Sequence, residues 1–156
     1  MLKIDEIDLK ILRIFQTDAR LPLTQVSEQL GIPHGTVRDR IRKMEETGII
    51  QEYTTVLNPA RLGFPLNCLV EVTLDQQVEN KKSIDALLEI NEVTEIQLLT
   101  GDVDVLVRIW ARDLEHLRQI LYDKFNSVPG LLRTSTIMVL ATYKKPLSLS
   151  EDILPQ

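Results

Sequence analysis

The hydrophobic period of this chain changes once, near Ile49, and that change limits the fold more than any other feature. Before it, apolar residues recur every three or four positions, as in half-buried helices. After it, long stretches alternate every second position, as in strands with one buried face. From Asp5 to Gln16 the repeat is carried by Ile7, Ile11, Leu12, Ile14 and Phe15, with Asp5 and Glu6 where a helix favours negative charge. The stretch Thr17 to Pro22 breaks it. Thr24 is expected to cap a short second helix that turns Val26 and Leu30 inward and stops at Gly31. Pro33 fits the first turn of a third helix, with Val37, Ile41 and Met44 inward and Gly48 at its end. Such helices, with a tight turn between the last two, make a compact trihelical unit.

Past Ile49 an extended segment is expected to Leu57, and Asn58-Pro59 with Gly63 marks a turn or hinge. The pattern then predicts a strand at 66–75, a helix at 80–90 and a strand at 93–100. A turn at Gly101-Asp102, a strand at 103–111, a helix at 113–126 and a strand at 131–143 follow. The order βαββαβ is ferredoxin-like, an antiparallel sheet with both helices on one face. The fold class is therefore α+β. A helix-turn-helix (winged-helix-like) domain is expected at 1–53, a linker strand or hinge at 54–63, the ferredoxin-like domain at 64–145 and a tail at 146–156.

Strand parity divides the sheet. One face should hold Cys68, Val70, Val72, Leu74, Ile96, Leu98, Val103, Val105, Val107, Ile109, Ile137, Val139 and Ala141, an aliphatic set that belongs under the helices. The other should hold Asn67, Leu69, Glu71, Thr73, Glu95, Gln97, Leu99, Asp104, Leu106, Arg108, Trp110, Thr134, Thr136, Met138 and Leu140. On that open face Leu69, Leu106, Trp110, Met138 and Leu140 form an apolar patch expected to be an interface. A second copy of the sheet is the expected partner.

Composition narrows the function. A single cysteine, Cys68, excludes an internal disulfide and, with two histidines, a conventional zinc site. No Gly-rich phosphate loop or nucleophile elbow is present, so no metal, cofactor or catalytic residue is expected. No apolar run approaches a membrane span and no signal-peptide pattern opens the chain, which predicts a soluble cytoplasmic protein. The net charge of −5 is uneven: residues 1–62 carry nine basic and nine acidic side chains, so the whole deficit lies beyond them. Within 38–43, four cations face one anion, Asp39. With Val37, Ile41 and Met44 inward, the third helix presents His34, Thr36, Arg38, Asp39, Arg42 and Lys43 outward, as a helix reading the major groove must. A solvated charged helix is the bland alternative; the turn glycine, the inward set and the basic outer face agree on the former.

The helix-turn-helix, the run Val37-Arg-Asp-Arg-Ile-Arg-Lys-Met-Glu-Glu-Thr-Gly-Ile-Ile and the later Leu99-Thr-Gly-Asp-Val-Asp resemble the leucine-responsive regulatory protein (Lrp/AsnC) family over residues 1 to about 145. The resemblance implies a prokaryotic transcription regulator whose C-terminal domain dimerises, assembles further into octamers and binds amino-acid effectors between subunits. By match, Leu99, Thr100, Gly101, Asp102 and Asp104 fall on the family's effector loop, and Thr134 and Thr136 on the last strand, where some members contact ligand. Physically, Gly101 can turn free amides toward an α-carboxylate, and Asp102 or Asp104 can accept from an α-ammonium. Gly-Asp is equally ordinary turn chemistry; the resemblance favours the ligand.

The expected partners are thus duplex DNA carrying an inverted-repeat operator, a free amino acid and a second copy of the chain. The alternative is an enzyme, since some haem-pathway decarboxylases resemble this family in fold. Such an enzyme needs several cations for substrate carboxylates, and Arg108 is the only one expected on the open face. Glu71, Glu95 and Asp104 there read as pairing partners, His116 as a solvated helix residue and Cys68 as core.

Overall fold

The computed structural model describes residues 4–150. They form two compact units: 4–56 together with 144–150, and Leu57–Tyr143. The part of the expected tail at 151–156 lies outside the described residues, whereas 144–150 groups with the helical unit.

In the first unit, α1 (Glu6–Thr17) starts at Asp5, whose carboxylate accepts the N–H groups of Ile7 and Asp8 at 2.9 and 3.0 Å. The Asp8 side chain accepts the Asp5 N–H at 3.0 Å in return, a reciprocal cap. Helix α2 (Leu23–Leu30) already includes Thr24, so Thr24 is not its cap; Pro22 precedes it and offers only its carbonyl, to Gln25 and Val26. Gly31, at φ 66°, reverses the chain in a region that side chains with a Cβ avoid. The turn is closed by Ser27, whose hydroxyl donates to the Ile32 carbonyl at 2.5 Å. Helix α3 (His34–Glu46) begins just after Pro33, which lies outside it rather than in its first turn. Ile11, Val26, Val37, Ile41 and Met44 form the core, as the period predicts. Residues 51–58 carry no strand: the segment is exposed and has no neighbouring strand to complete a ladder. The linker strand is therefore absent among the described residues.

In the second unit a short 3₁₀ turn (Pro59–Leu62) leads into β1 (Leu66–Leu74), α4 (Asn80–Leu88), β2 (Val93–Leu98), β3 (Val105–Ala111), α5 (Leu114–Gln119) and β4 (Leu131–Met138). Looser turns continue α5 to Ser127. The sheet is antiparallel in the order β2-β3-β1-β4. Cys68, Val70, Val72, Val105, Val107 and Ile109 are sealed under Leu87, Leu117, Ile120 and Phe125.

Two expectations fail on β4. The strand stops at Met138, and just beyond it Val139 still donates to the Asn67 carbonyl near the start of β1. Its parity is also inverted. Thr134, Thr136 and Met138 lie opposite Val72, Val70 and Cys68, hence on the helix side. Ser135 and Ile137 lie opposite Glu71 and Leu69, hence on the open face with Arg133. A one-residue slip moves every side chain to the other face.

Candidate nucleic-acid interface and ligand recess

All six candidate DNA-reading residues of α3 (His34, Thr36, Arg38, Asp39, Arg42 and Lys43) are exposed. Arg38 lies 3.8 Å from Asp39, and Arg42 lies 3.8 Å from both Asp39 and Glu46, with more than half of each side chain in solvent. Pairs this long and wet contribute about 0–1 kcal/mol, so both guanidinium groups are free to exchange partners. The fourth cation of the run is different. Arg40 turns inward and binds Asp5 at 2.6 Å and Asp8 at 2.8 Å, which ties α3 to the start of α1. Burial pushes the Asp5 carboxyl up, but its bonds to the Asp8 backbone and to Arg40 outweigh this and hold it below its ordinary value. The outward face thus carries Arg38, Arg42 and Lys43 against Asp39 and Glu46, a smaller positive excess than the sequence run implies.

In the second unit, the hairpin between β2 and β3 borders a recess of about 230 Å³ lined by Glu71, Thr73, Asp102, Val103, Arg133 and Ser135. Gly101, at φ 126°, makes the turn that brings Asp102 there. Of the expected effector residues, only Asp102 lines the recess. Leu99, Thr100 and Gly101 form the exposed hairpin, and Asp104 spends one oxygen on the Leu74 N–H at 2.8 Å, fastening β1 to β3. Thr134 and Thr136 are on the opposite side of the sheet. Arg133, Ser135, Glu71, Thr73 and Val103 complete the lining of the recess. Glu71 had been legible only as an acid, and Arg133 and Ser135 were hidden by the β4 parity.

The open face holds Leu69, Leu106 and Trp110, as expected, but with Ile137 and Val139 instead of Met138 and Leu140. Leu140 is 95% exposed beyond the strand. Arg108 donates to Glu95 at 2.8 Å and to Asn67 at 3.1 Å on this face. It is not the only cation there, since Arg133 shares it, so counting cations does not exclude the enzyme. His116 is buried, not solvated: its Nδ1 accepts the Arg112 N–H at 3.2 Å, and its Nε2 lies 3.1 Å from Glu92. Lys124 closes that cluster on Glu92 at 2.6 Å. Burial raises the Glu92 pKa, but Lys124, the backbone and His116 together hold it below its ordinary value. The cluster fastens the first turn of α5, and the looser turn after it, to the start of β2. Among the described residues, no group of His, Cys, Asp and Glu could hold a metal, and no helix is long and apolar enough to cross a membrane.

Comparison with known proteins assigns both units. A winged helix-turn-helix DNA-binding model matches residues 4–51, and the Lrp/AsnC ligand binding domain matches 67–149. The HTH-type transcriptional regulator FL11 of Pyrococcus horikoshii is 34% identical over 142 residues, covering 91% of this chain and 93% of that protein. LrpA of the same organism is 37% identical over 142 residues, covering 90% and 99%. In fold the chain is similar to E. coli AsnC, with TM-score 0.86 and 24% identity over 96% of this chain and 100% of that one. It is also similar to a Neisseria meningitidis transcriptional regulator in complex with L-Met, with TM-score 0.87 and 23% identity over 97% and 99%. Since the relatives are transcription regulators, the decarboxylase alternative is set aside. The chain belongs to the Lrp/AsnC family: it is a helix-turn-helix transcription regulator with a C-terminal ligand-binding domain, and not an enzyme.

Proposed function

We propose that this regulator reads an inverted-repeat operator as a homodimer, through the exposed face of α3, and that a free amino acid held at the Asp102 recess changes its assembly and DNA affinity. The recess carries the reading. Its lining gathers a guanidinium, Arg133, two carboxylates, Glu71 and Asp102, and two hydroxyl groups around a space too small for a drug-sized ligand. A zwitterion needs both signs of charge at short range: Arg133 suits its α-carboxylate, Asp102 or Glu71 its α-ammonium. The L-Met complex of a protein with the same fold supports the ligand class.

Arg38→Ala and Arg42→Ala are each expected to weaken DNA binding with no change in stability. A side chain that reads guanine with two bonds costs about 1–3 kcal/mol when lost and relaxes specificity at one position. One that touches phosphate weakens all sequences evenly and reduces the salt slope by about 1. Unchanged binding in both variants removes α3 from the interface.

Calorimetry with each common amino acid tests the ligand. At least one should give heat, and Arg133→Ala or Asp102→Asn should weaken that binding by about 1.5–3 kcal/mol, the range for hydrogen bonds to charged groups. Ligand-free DNA binding should be unaffected. No heat from any amino acid, with the protein folded, would leave the recess a mere hairpin hollow.

A further inference from the structure

The chain passes between its two units twice. It enters the second at Leu57, and after Tyr143 it returns, so that 144–150 belongs with α1, α2 and α3. There Arg13 gives two N–H groups to the Leu149 carbonyl, from Nε at 3.0 Å and Nη2 at 2.6 Å. Gln16 Nε2 donates to the Leu147 carbonyl at 3.0 Å. The donors stand three residues apart on one flank of α1, and the acceptors are alternate carbonyls of a segment without helix or strand. That spacing fixes the segment's register as well as its position. Leu149 is half-buried, whereas Leu147 is 75% exposed, so the hold is firmest at the far end.

What the segment joins gives it a use. Upstream it is continuous with β4, which contributes Arg133 and Ser135 to the recess. Downstream it is fastened to α1, whose Asp5 and Asp8 grip Arg40 of α3. We propose that residues 139–150 are a strap that couples the ligand recess to the recognition helix, passing a change at β4 to α1 and through Arg40 to α3. This rests on the amino-acid reading above and adds the route by which it acts. A ligand shifts an equilibrium only by its differential affinity for two arrangements, and the strap is an element whose position both sites bias.

Two measurements on the full chain test it, with the double variant Arg13→Ala/Gln16→Ala, whose positions lie outside both the α3 face and the recess. Cleavage by subtilisin within 144–150 should be at least about fivefold faster in the variant, since local opening sets the rate. Equal rates overturn the strap, whatever any amino acid does. DNA affinity is then compared with and without the amino acid that gives the most heat. Coupling in the wild type should lie in the usual range of about 5- to 150-fold, and in the variant it should fall below about twofold. The variant's affinities for amino acid alone and for DNA alone should stay within about twofold of wild type. A ratio kept at the wild-type size overturns the proposal, and so does loss of either separate affinity, which would make Arg13 and Gln16 local supports. A wild type indifferent to every amino acid, with faster cleavage in the variant, sinks the effector reading and its coupling but not the attachment.

Discussion

Arg40→Ala should destabilise the helical unit by about 2–3 kcal/mol in chemical denaturation, more than any change on the outer face of α3. The alanine leaves Asp8, which is 12% exposed, without its cation, and Asp5 with only backbone donors. Breaking a buried ion pair from one side costs about 3–5 kcal/mol; the partial exposure of Arg40 places this site at or below the low end. Both bonds come from one nitrogen, Nη1, so Arg40→Lys, whose ammonium can also donate to two carboxylates, should recover part of the loss, limited by its shorter reach. Acid adds a second signature. The folded-state pKa of Asp5 lies below its ordinary value of 3.8, so its contribution is complete above that value and disappears as pH falls through the folded pKa. The gap between wild type and Arg40→Ala should therefore narrow below about pH 4. Equal denaturation midpoints at neutral pH would show that the bridge holds nothing.

Ile137→Lys should convert a dimer into monomers, with the dissociation constant raised by about two to three orders of magnitude. Ile137 is 45% exposed in the single chain, so a lysine there can reach water and the fold should survive. In a dimer built through the open face, the same ammonium would be buried beside Leu69, near Arg108, without a carboxylate of its own. An uncompensated buried charge costs about 3–5 kcal/mol, and each 1.4 kcal/mol is tenfold in affinity. Met138→Lys is the control, because Met138 lies on the helix side of β4. Light scattering at micromolar concentration decides the matter. A monomeric wild type, or a Met138→Lys variant that dissociates while Ile137→Lys does not, would refute an open-face dimer.

That pair of neighbours also shows where sequence reading reaches its end. The inward residues of α3 and the paired strands β1 and β3 were legible because each has one apolar face and one polar face. β4 has no such contrast: Ile137 and Val139 argue for one parity, Met138 and Leu140 for the other. Being an edge strand with little of it under the helices, it pays almost no penalty for either, and only the ladder with β1 decides. The lining of the recess was hidden with it, since Arg133 and Ser135, not the two threonines, lie on that face. Arg40 was hidden for another reason. It stands three residues after Val37 and four before Met44, on the flank of the buried stripe, where a long cation can turn either way. Its direction depends on Asp5 and Asp8, some thirty residues earlier. The bond of Asp104 to Leu74 and the burial of His116 were not legible, because their partners are backbone N–H groups and a distant glutamate, which no local pattern displays.

Cys68 lies near the start of β1, fully buried, and burial raises its thiol pKa, so little thiolate forms near neutrality. Because it is also the only cysteine in the sequence, the natural chain already serves as a silent background for thiol-directed reporters. A single His34→Cys exchange would put the one reactive sulfur at the tip of each recognition helix. The separation of those tips in an assembled pair then becomes a ruler reading, taken by spin or dye labels, for each small molecule offered to the protein.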